Sequence, residues 1–190
     1  MKIFISGGCK NGKSYYAQHL AKAQQKQQLY YIATMKPADK EDGERIVKHR
    51  NEREGWGFVT VEQGSDIEGI LHKCDADGSF LLDSVTALLA NEMFRPPDWE
   101  ADELAPKKII AGLSRVFDAV RDIVVVSDYI YGDAALYDGQ TEKYRRALAE
   151  IDRMAAGACD VVLEVAYTNV IAHKGGKYFG EIGEIYEKIL

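Results

Sequence analysis

The sequence has little cysteine, no excess of positive charge and no long hydrophobic run. It contains 3 cysteines among 190 residues. They are scattered and lack metal-site spacing, which argues against a disulfide framework and predicts a reducing, cytoplasmic compartment. The formal net charge is −6, so we expect no surface for nucleic acid or an anionic membrane. Because neither a membrane-spanning run nor a signal peptide is recognisable, we also expect no membrane insertion.

Internal repeats, low-complexity segments and linkers between domains are missing as well. A chain of 190 residues is long enough for one α/β core. Hydrophobic residues make up 46 % of the sequence and charged residues 28 %, which is typical of globular proteins. We therefore expect residues 1–190 to form a single domain.

A glycine-rich loop lies near the N-terminus. A short apolar strand over residues 3–6 is followed by the pattern G-x-x-x-x-G-K-S, and residues 15–23 then have a helical pattern. This strand–loop–helix order is the context that a phosphate-binding loop requires. In such a loop, Lys13 would reach the β- and γ-phosphates and the Ser14 hydroxyl would bind Mg²⁺, while backbone N–H groups and the helix N-terminus bind other phosphate oxygens. The loop residues are Gly7, Gly8, Cys9, Lys10, Asn11, Gly12, Lys13 and Ser14.

Strand-like and helix-like segments alternate along the rest of the chain. The predicted strands cover residues 3–6, 29–33, 58–61, 80–83, 123–127 and 161–165. Helical patterns lie between them, the clearest over 109–120 and 142–157. A capping box, Ser65-x-x-Glu68, predicts the start of another helix. This alternation predicts an α/β fold of the P-loop NTPase type, with a mostly parallel sheet covered by helices on both faces.

A phosphate loop that uses a metal ion needs an acid nearby. The apolar strand 80–83 ends in Asp83, as expected of a Walker B element that orders Mg²⁺. Strands also end in aspartate for turns and helix caps, so this signal gains weight only beside the loop. Ser14 and Asp83 are the predicted metal ligands.

The segment between the second and third strands is rich in arginine. It contains Arg45, His49, Arg50 and Arg53 within nine residues of sequence. These residues would suit a solvated, salt-bridged surface or a basic lid that clamps a triphosphate. A third alternative is that His49 acts as a covalent nucleophile at an α-phosphate. The residues alone leave these alternatives open.

Further short motifs follow the phosphate loop in a fixed order. They are Tyr31-Ile32-Ala33-Thr34, Arg45-Ile46-x-x-His49-Arg50, Thr60-x-Glu62 and Leu82-Asp83-Ser84-x-Thr86-x-x-x-x-Asn91. Together with the loop they resemble the bifunctional adenosylcobinamide kinase/adenosylcobinamide-phosphate guanylyltransferase family of cobalamin biosynthesis. The resemblance is specific over about the first half of the chain and survives in the last third only as a pattern of helices and strands.

The resemblance implies two successive reactions. A nucleoside triphosphate, ATP or GTP, first phosphorylates the aminopropanol hydroxyl of adenosylcobinamide. GTP then guanylylates a histidine of the enzyme with release of pyrophosphate, and the GMP passes to adenosylcobinamide phosphate. Imidazole suits this role because its neutral nitrogen can attack phosphorus and the resulting phosphoramidate stays reactive. The family tends to form ring-like trimers, so the resemblance also implies a homo-oligomer.

The resemblance assigns roles to individual residues. His49 matches the nucleophilic histidine, and Arg50 beside it would neutralise charge on the α-phosphate. Glu62 matches an acid that reads guanine and ribose. The implied catalytic residues are His49, Lys13 and Arg50, and the implied nucleotide-binding residues beyond the loop are Thr34, Glu62 and Asp83.

The chain departs from the family pattern in its second half. Ser127-Asp128-Tyr129-Ile130 stands where the family has Asn-Glu-Val-Gly, and Asp152-Arg153 replaces an Asn-Gln pair in the last helix. The tail 166–190 shows no recognisable family motif. Two alternatives therefore remain: a P-loop small-molecule kinase without guanylyltransferase activity, in which His49 is a bystander, and a non-catalytic GTP-binding homologue.

Overall fold

The computed structural model describes residues 1–37, 43, 47, 51, 53–167 and 169–178. In this part of the chain seven strands form one sheet in the order β3-β2-β4-β5-β1-β6-β7. All neighbouring strands are parallel except β6 and β7, which confirms the predicted mostly parallel sheet. The strands are β1 (Lys2–Gly7), β2 (Leu29–Ala33), β3 (Phe58–Glu62), β4 (Ser79–Asp83), β5 (Asp122–Asp128), β6 (Val161–Ala166) and β7 (Asn169–Lys174).

Helices cover both faces of the sheet, as predicted. Those named here are α1 (Lys13–Ala23), α2 (Val85–Met93), α3 (Ala105–Ala119) and α4 (Gly139–Ala158), with short 3₁₀ helices at Ile67–His72 and Gly176–Tyr178. Alternate residues of the central strand β5 point to opposite faces, so Val124 and Val126 pack in the α1 cluster while Ile123 and Val125 pack with α2, α3 and α4. Within the described ranges, no helix has the length and apolar character needed to cross a membrane.

The strand order brings three predicted or candidate site elements to one edge of the sheet. Strand β5 lies between β1 and β4, and its last residue, Asp128, is in register with Gly7 of β1. On its other side, Asp83 of β4 is in register with Val126 of β5. In a parallel sheet all carboxyl ends meet at the same edge, so the phosphate loop (residues 7–14), Asp128 and Asp83 follow one another there.

The predicted capping box at Ser65 is wrong. Asp66 precedes the 3₁₀ helix Ile67–His72 in a left-handed conformation, with φ of 54°, and its side chain makes no capping hydrogen bond. Glu68 instead forms an ion pair with Arg115 of α3. The tertiary pairing of Glu68 thus replaces the local one. Side-chain caps do begin two other helices, at Ser84 for α2 and Asp138 for α4.

Strand β7 was not predicted. It lies in the 166–190 tail, at one edge of the sheet, and most of its residues are exposed or half-buried. An edge strand buries little apolar surface, so its sequence lacks the hydrophobic run that identified the central strands.

Candidate active site

The phosphate loop needs glycine at two of its positions. A Cβ atom at Gly7 would collide with the backbone carbonyl oxygen of Val165 on β6. Gly12 precedes α1 with φ of 89°, a left-handed conformation that glycine adopts without strain. The Asn11 side chain donates a hydrogen bond to the Val165 carbonyl and accepts one from the Lys13 backbone N–H at 3.2 Å. The Asn11 side chain therefore ties the loop to β6.

Lys13 points back into the loop. Its side chain is 8 % exposed, and its Nζ lies 2.5 Å from Asp128 Oδ1. The same Nζ donates a hydrogen bond to the Gly8 carbonyl at 3.1 Å. This position across the loop suits a lysine that transfers its contacts to phosphate oxygens when a triphosphate enters.

Asp128 was not among the predicted site residues. The sequence pattern at Asp128 is nevertheless the same as the one at Asp83, because each acid ends an apolar strand. What the sequence lacked was the strand order, which places β5 directly beside β1.

Asp83, a predicted metal ligand, has one carboxylate oxygen held by a neighbouring hydroxyl. Its Oδ2 accepts a hydrogen bond from the Tyr31 hydroxyl at 2.8 Å, while its Oδ1 accepts none from the described residues. Mg²⁺ commonly uses one or two protein oxygens and completes its shell with phosphate oxygens and water. Asp83 and the Ser14 hydroxyl fit that small set, and no group of three or more His, Cys, Asp or Glu residues suited to a metal occurs within the described ranges.

Thr34 is fully buried next to this acid. Its hydroxyl donates to the Ser84 carbonyl and accepts from the Ser84 N–H, both at 2.7 Å. The Asn91 side chain donates to the Thr34 carbonyl at 2.7 Å. Thr34 therefore positions the backbone after Asp83, and a direct contact between Thr34 and nucleotide stays a prediction.

Glu62 is exposed at the end of β3. Strand β3 is four positions from β1 across the sheet, or about 19 Å at the usual strand spacing. The Glu62 carboxylate makes no ion pair or side-chain hydrogen bond within the described part of the chain. A nucleotide whose phosphates lie in the loop would have to extend along the carboxyl edge of the sheet to reach it.

Of the four basic residues noted in the arginine-rich segment, the structure describes Arg53. Arg45, His49 and Arg50 lie outside the described residues. The Arg53 guanidinium carbon is 3.5 Å from the centre of the Tyr31 ring, a cation–π contact. The side chain is buried, and its Nη1 has no hydrogen-bond partner among the described residues. Because Tyr31 also holds Asp83, Arg53 is connected to the predicted metal ligand through one aromatic ring.

A second polar cluster lies behind β5. The Asp152 carboxylate of α4 is 3 % exposed, and its Oδ2 accepts hydrogen bonds from Ser127 at 2.9 Å and Tyr131 at 3.1 Å. Burial, together with the negative charge of Asp128, raises the pKa of the Asp152 carboxyl to about 7. Its Oδ1 is buried without a hydrogen-bond partner. The cluster therefore holds a buried carboxyl group whose protonation is favoured by burial.

Replacing Asp152 with asparagine should make the protein more stable at alkaline pH. The folded protein keeps the Asp152 proton up to a pKa of about 7, whereas the unfolded chain loses it near pH 4. The folded state thus binds more protons between these values, and the free energy of unfolding of wild type falls as pH rises through this window, by on the order of 4 kcal/mol.

The asparagine side chain has no such proton to lose, so the stability difference between Asp152→Asn and wild type should grow from pH 4 to pH 8. Urea unfolding of both proteins at the two pH values measures it. Parallel pH dependences of the two proteins would show that Asp152 is ionised in the folded state.

This chain is similar in sequence to one family model and to one protein of Escherichia coli. A family model described as cobinamide kinase / cobinamide phosphate guanyltransferase matches residues 3–170. The bifunctional adenosylcobalamin biosynthesis protein CobU of Escherichia coli K12 is 32 % identical over 108 residues, which are 53 % of this chain and 58 % of that protein. The chain thus spans a little more than half the length of that relative.

A solved structure shares the fold. The flagellar accessory protein FlaH from Methanocaldococcus jannaschii superposes with a TM-score of 0.51 at 14 % identity, over 91 % of this chain and 77 % of that one. The family match extends from β1 into β7 and so includes the phosphate loop, Asp83 and Asp128. It confirms the resemblance seen in the sequence motifs. The chain belongs to the cobinamide kinase / cobinamide phosphate guanyltransferase family.

Proposed function

We propose that this protein catalyses both reactions of its family: phosphorylation of adenosylcobinamide and transfer of GMP from GTP to adenosylcobinamide phosphate, in cobalamin biosynthesis. The observation that carries the proposal is the buried Lys13 held across the phosphate loop, 2.5 Å from Asp128 and 3.1 Å from the Gly8 carbonyl. A lysine in this place is prepared to exchange both contacts for phosphate oxygens.

In the first reaction the acceptor hydroxyl attacks the γ-phosphorus of ATP or GTP, and the bond to the β–γ bridging oxygen breaks. Lys13 and the loop N–H groups stabilise the charge that spreads over the phosphate oxygens. Ser14 and Asp83 would hold Mg²⁺, which supplies further neutralisation of the phosphates when bound. Gly8, Cys9, Lys10 and Asn11 form the remainder of the loop around them.

In the second reaction a ring nitrogen of His49 attacks the α-phosphorus of GTP and pyrophosphate leaves. Arg50 neutralises charge on the α-phosphate during this step. Adenosylcobinamide phosphate then takes the GMP and frees the imidazole. The supports for this half are the family assignment and the contact of Arg53 with Tyr31, whose hydroxyl also donates to Asp83.

We infer that a single domain carries both reactions and that it works in the cytoplasm. The continuous sheet with a core on each face supports the first inference. Three free thiols, at Cys9, Cys74 and Cys159, fit a reducing compartment. The family resemblance further supports a homo-oligomer, with a trimer as the expected form, and light scattering coupled to size exclusion would measure it.

The proposal is tested by incubating the protein with adenosylcobinamide, Mg²⁺ and either ATP or GTP, with products identified by mass spectrometry. With GTP present, both phosphorylated and guanylylated corrinoid are expected, whereas ATP alone can give only the phosphorylated product. Phosphorylated corrinoid alone in the presence of GTP would favour the plain kinase alternative. Tight GTP binding without either product would favour the non-catalytic homologue. The comparison of ATP with GTP also identifies the phosphoryl donor.

Glu62 provides a test of base and sugar recognition. A carboxylate can accept hydrogen bonds from the guanine edge or the ribose hydroxyls, and charge-assisted bonds of this kind contribute about 1.5–3 kcal/mol each. Glu62→Gln should therefore weaken GTP binding about tenfold or more and leave the binding of inorganic triphosphate unchanged. Isothermal titration measures both affinities. Glu150→Gln, at an exposed position of α4, is the control, and an equal loss for both ligands would place Glu62 away from the nucleoside.

A further inference from the structure

Asp128 is held rigidly at the entrance of the phosphate loop. It ends β5 directly opposite Gly7 of β1. Its backbone N–H donates to the Thr86 hydroxyl oxygen at 3.0 Å, and the N–H of the next residue, Tyr129, donates to the Gly7 carbonyl at 2.9 Å. The carboxylate is therefore positioned by two neighbouring elements, α2 and β1, and it is partly accessible, with 24 % of the side chain exposed.

The Asp128 carboxylate forms an ion pair with Lys13 across the loop. A bound triphosphate carries several negative charges around the same lysine, so its β- and γ-oxygens compete with a single carboxylate for Lys13 Nζ. If Lys13 turns to the phosphates, Asp128 loses its cation while it stays beside the phosphate loop. Binding of the nucleotide would thus free a carboxylate next to the loop.

Asp83, the other strand-end acid at this edge, is engaged differently. The Tyr31 hydroxyl occupies its Oδ2, and its remaining oxygen fits the predicted metal. Two carboxylates with such different partners are suited to different tasks. Asp83 suits the predicted metal, and Asp128, which pairs with the loop lysine, suits a different task.

The chain beyond Asp128 offers a surface for a large acceptor. Tyr129 and Tyr131 form an edge-to-face pair with ring centres 4.8 Å apart, and Tyr129 is 50 % exposed. Tyr137, in the same loop, is 44 % exposed. Exposed aromatic rings beside a carboxylate suit a large ligand that offers a flat ring face and a hydroxyl.

We propose that Asp128 is the general base of the phosphorylation reaction, accepting the proton of the acceptor hydroxyl on the side of the loop faced by residues 129–137. This inference rests on the proposed kinase function. The acceptor O–H bond breaks as its oxygen bonds to the γ-phosphorus, the proton goes to an Asp128 carboxylate oxygen, and the nucleoside diphosphate leaves with the bridging oxygen. Release of the proton to water restores the carboxylate.

The test compares Asp128→Asn with wild type in three measurements. Asparagine keeps the shape of aspartate but does not take up a proton in this way. Phosphorylation of adenosylcobinamide should fall about 10²- to 10³-fold. Formation of the GMP adduct should persist, because it uses a different nucleophile. Binding of GTP should stay the same or tighten, since Lys13 is no longer paired with an acid.

Two further variants sharpen the comparison. Asp128→Glu restores a carboxylate and should recover a large part of the lost rate. Asp118→Asn, an exposed acid of α3, should leave all three measurements unchanged. A merely structural role for Asp128 would reduce nucleotide binding, adduct formation and phosphorylation together.

The possible outcomes separate this inference from the proposed function. If Asp128→Asn phosphorylates adenosylcobinamide as fast as wild type does, the base assignment is wrong and the kinase function stands. Parallel loss of all three measurements also overturns it. Wild type without any phosphorylating activity overturns both. Selective loss of phosphorylation with recovery by Asp128→Glu supports the proposal.

Discussion

Incubation with GTP and Mg²⁺ should attach one GMP to the wild-type chain at His49, and His49→Asn should abolish this adduct. Asparagine is close to histidine in shape but is not nucleophilic, so GTP should still bind to the variant. The expected change is the complete loss of a covalent product, which makes it the largest effect predicted for this protein.

The other histidines are unsuited to this reaction. His19 Nδ1 lies 3.0 Å from the Tyr15 carbonyl, and its ring packs against Trp56. His173 lies on the edge strand β7, and its Nε2 is 2.7 Å from the carboxylate of Glu164 on β6. His72 ends a 3₁₀ helix that packs against α3, which lies on the face of the sheet opposite α1. A label on any of these three would contradict the assignment.

Intact-protein mass spectrometry measures the adduct, and peptide mapping locates it. A phosphoramidate should be labile to acid and stable to base, unlike a serine or tyrosine ester. His72→Asn is a matched control that should be labelled like wild type. An unlabelled wild type, or a labelled His49→Asn protein, would refute guanylyl transfer and favour the plain kinase alternative.

The second large effect is expected from Lys13→Ala. The Lys13 ammonium group stabilises both the bound triphosphate and the transition state, so GTP affinity and turnover should both fall in the variant. Removal of one such donor typically costs about 10²- to 10³-fold in rate. The variant also leaves the Asp128 carboxylate without its cation beside the phosphates, so repulsion adds to the loss of binding.

Titration calorimetry with GTP and the corrinoid phosphorylation assay measure the two consequences of Lys13→Ala. Lys107→Ala, at an exposed position of α3, is the control for a lost surface charge. GTP binding as tight as that of wild type would show that the phosphate loop does not hold the triphosphate.

The sequence by itself determined the phosphate loop, the six strands β1 to β6 and the fold class. These features depend on local patterns: glycine where the backbone must turn tightly, strand-like apolar runs and a helical period of 3.6 residues. The assignments of His49 and Arg50 also came from the sequence, through the family resemblance, and they stay predictions because both residues lie outside the described structure.

The tertiary structure decided how the site is completed. Three contacts of the site join residues that are far apart in the chain. They are the ion pair of Lys13 with Asp128, the stacking of Arg53 on Tyr31 and the hydrogen bond of Ser127 to the buried Asp152. Each depends on which strands and helices become neighbours, and the local patterns that identify an element do not specify its neighbours. For the same reason Glu68 pairs with α3 rather than closing a capping box. Local chemistry specified the loop, and long-range packing selected the charged groups around it.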